Sequence, residues 1–125
     1  MTRNRQSAKA AGSRMERQVA DWLRDHVSEF IDRRTKTGAK DRGDLTGVRA
    51  HGKRVAVEIK NTTRINLAGW IGEAHTEAGN DDAAVGIICH KRHGVADPAR
   101  QWVTMTLSDL AFLLTGDEQP DRYEP

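Results

Sequence analysis

Three charged side chains near the middle of the chain have the types and spacing for hydrolytic chemistry. Thirteen residues separate Asp44 from the triplet Glu58-Ile59-Lys60. Every second residue of 54–60, from Val55 onward, is apolar, as a half-buried strand requires, so Glu58 and Lys60 share the other face at about 6 to 7 Å. A carboxylate on that face can hold a divalent cation while the ammonium faces the same water. This pairing suits hydrolysis of a phosphodiester.

The elements around these residues resemble the PD-(D/E)xK nuclease superfamily. Gly43-Asp44-Leu45 opens one predicted strand, the triplet closes the next, and an amphipathic helix precedes both. Gly43 stands where the superfamily name places Pro. A Glu-x-Lys triplet alone is equally typical of the wet face of any strand. The three features together favour the nuclease.

The helix before these strands is predicted to begin at Ser13, because apolar residues recur at helical spacing from Met15 to Val27. Glu16 lies at the edge of the apolar stripe and has two interpretations. It completes a capping box with Ser13. Alternatively, Gly12 and Glu16 resemble a Gly and a Glu four residues apart in archaeal and phage-type Holliday junction resolvases, in which the Glu supplies a carboxylate near the metal.

A polar loop at residues 34–43 leads directly into Asp44. The same resolvases carry an Arg, a Ser-Gly pair and then the catalytic Asp, so the resemblance makes Arg34, Thr37 and Gly38 their counterparts, with Thr in place of Ser. Cations beside a metal site are expected to contact phosphates. The predicted DNA-binding residues are Arg33, Arg34, Lys36, Thr37, Lys40 and Arg42, with Lys91 and Arg92 at the end of a later strand.

The remaining elements predict a single α/β domain over residues 1–125. We expect a flexible basic arm at 1–12, a first strand from Phe30 to Arg34, a helix ending near Asn80, a buried strand from Ala84 to Cys89, a last strand from Trp102 to Thr106, a short helix capped by Ser108, and a polar tail at 116–125. Glu73 and His75 are expected at the surface, and Cys89 as a buried thiol.

Charge is segregated along the chain. Residues 1–64 hold 16 of the 20 Lys and Arg and 8 of the 18 acids, a net +8, whereas residues 65–125 have a net −6. A basic half that also carries the carboxylates suggests a polyanion guided to a metal site. The sequence has neither an apolar run long enough to span a membrane nor a signal peptide, so a cytoplasmic protein is expected.

The resemblance implies a restriction-endonuclease-like core, a mixed β-sheet flanked by helices. It implies that Asp44, Glu58 and the Ile59 carbonyl hold Mg²⁺ or Mn²⁺, that Glu16 completes the acidic cluster, and that Lys60 orients or helps deprotonate the attacking water. The expected activity is cleavage of branched DNA, most simply a Holliday junction, by a homodimer in a bacterial, archaeal or phage-infected cell. The alternatives are another small nuclease of this fold, such as a nickase or restriction-like enzyme, and a basic DNA-binding protein without catalysis.

Strand parity gives a further expectation. In a regular antiparallel hairpin, Asp44 shares a face with Glu58 only if it pairs with Glu58 or Lys60. This requires an odd loop such as His51-Gly52-Lys53, or a bulge near Gly47.

Overall fold

The computed structural model describes residues 4–36 and 38–120. Its helices are α1 (Arg5–His26), α2 (Leu67–Asn80) and α3 (Leu107–Thr115), with a short 3-10 turn at Pro98–Arg100. Its strands are β1 (Asp32–Arg33), β2 (Leu45–Thr46), β3 (Arg49–Ala50), β4 (Lys53–Lys60), β5 (Val85–His90) and β6 (Trp102–Thr104). The chain is therefore mixed α/β, as predicted. No helix within the described ranges has the length and apolar character needed to cross a membrane.

The main sheet has four strands in the order β3-β4-β5-β6, and β1 and β2 form a separate pair. β4 and β5 are parallel and joined through α2, while the outer pairings are antiparallel. Met15 of α1 and Phe112 of α3 pack with Val57 on one face, and Ala78 of α2 packs with Ala56 on the other. β4 is thus buried on both faces, and the prediction of a half-buried strand is wrong because α2 covers the face expected to be wet.

Helix α1 begins at Arg5, eight residues before the predicted start. Asn4 and Ser7 form a capping box, in which the Asn4 side chain accepts from the Ser7 amide at 2.8 Å. Residues 5–12 are therefore helical, which corrects the prediction of a flexible arm there. Ser13 lies inside the helix, so the proposed capping box between Ser13 and Glu16 is also wrong.

The β3–β4 hairpin does not have the predicted odd loop. Arg49 pairs with Arg54 and Ala50 with Lys53, which leaves the two-residue loop His51-Gly52. Both loop residues have positive φ, at 54° and 74°, as a type I′ turn requires. Two-residue connections match the twist of paired strands best, and the register is therefore the one that sets Asp44 opposite Ile59 in a regular ladder.

The ladder stops being regular at Gly47, as the second alternative anticipated. Val55 donates to the Val48 carbonyl at 2.9 Å, but the next bond joins the Asp44 amide to the Val57 carbonyl at 2.8 Å. The chain therefore advances four residues, from Val48 to Asp44, while β4 advances only two, from Val55 to Val57. Gly47 has φ of +80°, and a Cβ there would lie 2.2 Å from the Phe30 carbonyl oxygen, so only glycine fits this diversion.

The second half of the chain contains two further corrections. Thr106, not Ser108, caps α3 by accepting from the Asp109 amide at 3.1 Å. His75 is buried rather than exposed, because its Nε2 lies 2.9 Å from Oδ2 of the fully buried Asp109. Cys89 is buried as predicted, and burial raises the pKa of its thiol to about 11.

Candidate functional site

Asp44 sits where β2 separates from β4. Its Oδ2 accepts a hydrogen bond from the Ile59 amide at 2.7 Å, and its side chain is 4% exposed. The carboxylate thus replaces the strand partner that β4 loses beyond Val57. The Ile59 carbonyl is directed to the same side as its amide, because both groups of a strand residue face the same neighbour. Asp44 therefore contacts β4 without pairing with Glu58 or Lys60, which a regular antiparallel ladder would have required.

The predicted acids line one open cleft of about 640 Å³, bounded by α1, the segment after β1 and the end of β4. It includes Glu16, Asp44, Glu58 and Ile59, together with the cations Arg33 and Lys36. Gly12 also lines it, and a side chain there would meet no atom within 4 Å. Glu16, Asp44, Glu58 and Ile59 come from α1, from the segment before β2 and from β4, and they share this one space, whereas Lys60 does not line it.

Glu16 faces this cleft from α1. Its Oε2 lies 3.2 Å from Arg33. Burial raises the pKa of Glu16, and a hydrogen bond with Asp44 raises it further, so the two carboxyls are close enough to share a proton. Glu16 is thus a member of the acidic group rather than a cap.

Lys60 lies beside Glu58, as the strand alternation predicts. Its Nζ is 3.6 Å from Glu58 Oε1 and 2.7 Å from Glu73 Oε2 on α2. Burial lowers the pKa of Lys60, but the hydrogen bond with Glu73 and the charge of Glu58 outweigh it, and the net shift is upward. Lys60 is therefore held as an ammonium. Glu73 remains half exposed, as expected, and anchors it.

Glu58 is buried, with only 7% of its surface exposed. Burial raises its pKa to about 7; a hydrogen bond with Glu77 opposes this shift, and the charge of Asp44 adds to it. Its Oε2 is shielded from solvent and has no hydrogen-bond donor among the described residues. Glu58 Oε2 therefore needs either a cation beside it, if the carboxylate is ionised, or a proton.

A second acid, Glu77, accompanies Glu58 and was not among the predicted site residues. Glu77 is 4% exposed, and its Oε2 also lacks a donor within the described part of the chain. Burial raises its pKa to about 10, and a hydrogen bond with Glu58 contributes. The sequence carried a signal, since Trp70, Ala74, Glu77 and Ala78 follow one helical stripe.

Asp41 joins these two acids from the loop before β2. In the described residues, Asp41, Glu58 and Glu77 form the one group of three metal-binding side chains with ligand atoms all within 4.8 Å of one another. Glu16 and Asp44 are not in this group. Asp41 was not among the predicted site residues, because a single aspartate in a polar loop has no periodic pattern that would place it beside β4.

The predicted DNA-binding cations fall into two classes. Arg33, Lys36, Lys40 and Arg42 are exposed around the cleft and the loop beside it, and two of them already face its acids: Arg33 lies 3.2 Å from Glu16 and Lys36 lies 3.6 Å from Asp44. Arg34 instead donates to Asp81 at 3.2 Å and to the Leu45 carbonyl at 3.4 Å, so its guanidinium is engaged within the protein. Thr37 lies outside the described residues.

The two cations after β5 are partly buried and lie apart from the cleft lining. The Lys91 ammonium donates to the Val95 carbonyl, and the Arg92 guanidinium lies 4.6 Å from the centre of the Trp102 ring. Their contact with DNA stays a prediction.

The oxygen donors around Glu58 fit a hard divalent cation. Carboxylates and a backbone carbonyl are the ligands that Mg²⁺ and Mn²⁺ prefer. Glu58 Oε2 is a buried acceptor without a donor among the described residues, and the charges of Asp44 and Asp41 raise the cost of leaving Glu58 ionised. A bound divalent cation would both contact Glu58 Oε2 and offset the charges of the neighbouring carboxylates.

Comparisons with protein-family models, with curated proteins and with solved structures found no match to this chain. The case for its function therefore depends on the geometry of the site and the motif.

Proposed function

We propose that this protein is a metal-dependent endodeoxyribonuclease with a restriction-endonuclease-like core, which cleaves branched DNA such as a Holliday junction. The observation that carries the proposal is the single cleft that Glu16, Asp44, Glu58 and Ile59 line together, with Lys60 at 3.6 Å from Glu58. A solvated Glu-x-Lys pair on a wet strand face would not be buried, and it would not meet two further acids.

In the proposed enzyme, Asp44, Glu58 and the Ile59 carbonyl hold Mg²⁺ or Mn²⁺, and Glu16 completes the group. The cation stabilises the negative charge that grows on the scissile phosphate. Asp44 is fixed for this role by the Ile59 amide. A carboxylate already oriented in the resting protein needs little rearrangement when substrate binds.

Lys60 orients the attacking water and the phosphate. Its contacts with Glu73 and Glu58 keep it protonated, which favours a positioning ammonium over a general base. A fixed positive charge at this point also favours the dianionic phosphate of the transition state.

The exposed cations beside the cleft bind the DNA backbone. Arg33 and Lys36 line the cleft, Lys40 and Arg42 are exposed in the loop beside it, and phosphate contacts give affinity without reading bases. Selectivity for the shape of a branched DNA suits such a surface. A four-way junction requires two symmetric incisions, so we propose a homodimer as the active species.

The proposal is tested with a labelled four-way junction and a linear duplex of matched sequence, each incubated with Mg²⁺ or with EDTA. We expect paired incisions in the junction with Mg²⁺ and none with EDTA. Asp44→Asn should lower the rate at least about 100-fold, or ~3 kcal/mol in barrier, while junction binding survives. Asp25→Asn, on an exposed part of α1, should cleave at the wild-type rate.

Two results would contradict the proposal. One is an absence of cleavage of either substrate with Mg²⁺ or Mn²⁺. The other is cleavage by Asp44→Asn at the rate of Asp25→Asn. Cutting of the duplex alone would retain the nuclease and reject the junction.

A further inference from the structure

Glu77 and Asp41 lie outside the residues that the proposed catalytic site uses, although both are adjacent to Glu58. One carboxylate oxygen from each of the three residues lies within 4.8 Å of the others. Glu77 lies on α2, Asp41 lies in the loop before β2, and Glu58 lies on β4. Acidic side chains repel one another when ionised. The Lys60 ammonium, 3.6 Å from Glu58 Oε1, offsets part of this repulsion, and protons or a further cation must offset the rest.

The two buried acids have an unsatisfied oxygen each. Oε2 of Glu58 and Oε2 of Glu77 are shielded from solvent, and neither has a donor among the described residues. Two ionised carboxylates cannot satisfy each other, because both are acceptors. Their orphaned oxygens are satisfied only by a shared proton or by a bound cation.

Asp41 is held in place at the exposed end of this group. The Gly43 amide donates to Asp41 Oδ1 at 2.9 Å, and the Asn80 side chain donates to the Asp41 carbonyl at 2.7 Å. The first bond is local to the loop, and the second ties the loop to the end of α2. The second Asp41 oxygen is left for another partner, and an exposed aspartate gives a cation a route to the buried pair.

We propose that Asp41, Glu58 and Glu77 bind a divalent cation of their own, beside the cation that the nuclease function assigns to Asp44 and Glu58. The ligand is a hard cation such as Mg²⁺ or Mn²⁺, since all the donors are carboxylate oxygens. Glu58 is shared between the two sites, so this inference deepens the proposed function. Sharing of one carboxylate by two cations is a feature of two-metal phosphoryl-transfer centres.

Direct Mn²⁺ binding, followed by electron paramagnetic resonance of the free ion in the absence of DNA, tests the inference. Glu77→Gln and Asp41→Asn should each bind one cation fewer per chain than the wild type, or bind it at least about ten-fold more weakly. The matched control Glu29→Gln, an exposed glutamate after α1, should bind as the wild type does. Thermal unfolding of each variant establishes that it is folded, and Asp41→Asn, in an exposed loop, removes no buried contact.

The outcomes separate the two proposals. If Glu77→Gln and Asp41→Asn both bind as many cations as Glu29→Gln, with affinities within two-fold, the inference is overturned and the buried pair shares a proton only. If Asp44→Asn alone loses a cation, the proposed catalytic site stands without the second one. If Glu77→Gln loses a cation and Asp44→Asn does not, the inference stands and the metal assignment of Asp44 fails.

Discussion

The two faces of β4 are both buried, but they contribute opposite terms to the free energy of unfolding. Val55, Val57 and Ile59 join an apolar core with α1 and α3. Ala56 and Glu58 face α2, where Glu58 and Glu77 each bury an oxygen without a donor. The first face stabilises the fold, whereas the second lowers its stability in return for a concentrated group of acids. Such a cost in the centre of a small sheet is typical of a functional site.

The largest expected effect concerns the apolar face. Phe112 of α3 is fully buried against this core, so Phe112→Ala should lower the free energy of unfolding by about 3 to 5 kcal/mol. Denaturant unfolding measures it. Leu114→Ala, at the exposed side of the same helix, is the control and should change stability by less than about 1 kcal/mol. Equal losses in the two variants would show that the α1–α3 layer is not the core.

The acidic face predicts an unusual dependence of stability on pH. Burial raises the pKa of Glu58 to about 7 and that of Glu77 to about 10, so the folded protein holds protons that the unfolded chain releases above about pH 4.5. Without divalent cations, this stabilisation is complete below pH 4.5 and is lost as the pH rises through 7 toward 10. The loss should extend over several pH units, since each unit by which a folded-state pKa is raised corresponds to about 1.4 kcal/mol of stability.

Thermal unfolding between pH 5 and 9 in EDTA measures this loss. Glu77→Gln should reduce the slope of stability against pH, and Asp25→Asn should leave that slope unchanged. A wild-type protein that becomes more stable across this range would show that the two carboxyls are not buried as protonated acids.

The smallest expected effect is on the salt dependence of junction binding, which distinguishes cations near the two ends of β4. Lys40 and Arg42 flank Asp41 in the loop before β2, whereas Arg49 and Lys53 lie at the β3–β4 hairpin. Lys40→Ala with Arg42→Ala should reduce the logarithmic salt slope of junction binding by up to about 2, at about 0.9 per phosphate contact. Arg49→Ala with Lys53→Ala, at the β3–β4 hairpin, should leave the slope unchanged. The reverse result would place the DNA at the hairpin.

The elements defined by local periodicity were predictable from the sequence. The alternation at 54–60 predicted β4 and the shared face of Glu58 and Lys60, and the helical spacing from Leu67 predicted α2. The start of α1 was not predicted, because residues 5–12 carry two cations and lack the large apolar side chains that mark the helix from Met15 onward. The caps at Asn4 and Thr106 depend on one or two local side-chain hydrogen bonds, which the apolar periodicity does not indicate.

The features set by distant contacts could not be predicted. Burial of His75 depends on Asp109, more than thirty residues away in sequence. The position of Asp44 depends on the diversion at Gly47, and parity alone could not foresee that a carboxylate would take the place of a strand partner. Burial of Glu77 could be predicted, since its position on α2 places it among buried residues. The proximity of Asp41 to Glu58 could not be predicted.

The central claim is that the acids beneath α2 serve cleavage at a cost in stability. Glu58→Gln tests it most directly, with unfolding measured at pH 8 in EDTA and junction cleavage measured in Mg²⁺ on the same preparation. The account predicts a variant at least as stable as the wild type, because an amide removes a buried charge and can donate to Glu77, and cleavage at least about 100-fold slower. A variant that is destabilised and still cleaves at the wild-type rate would contradict it.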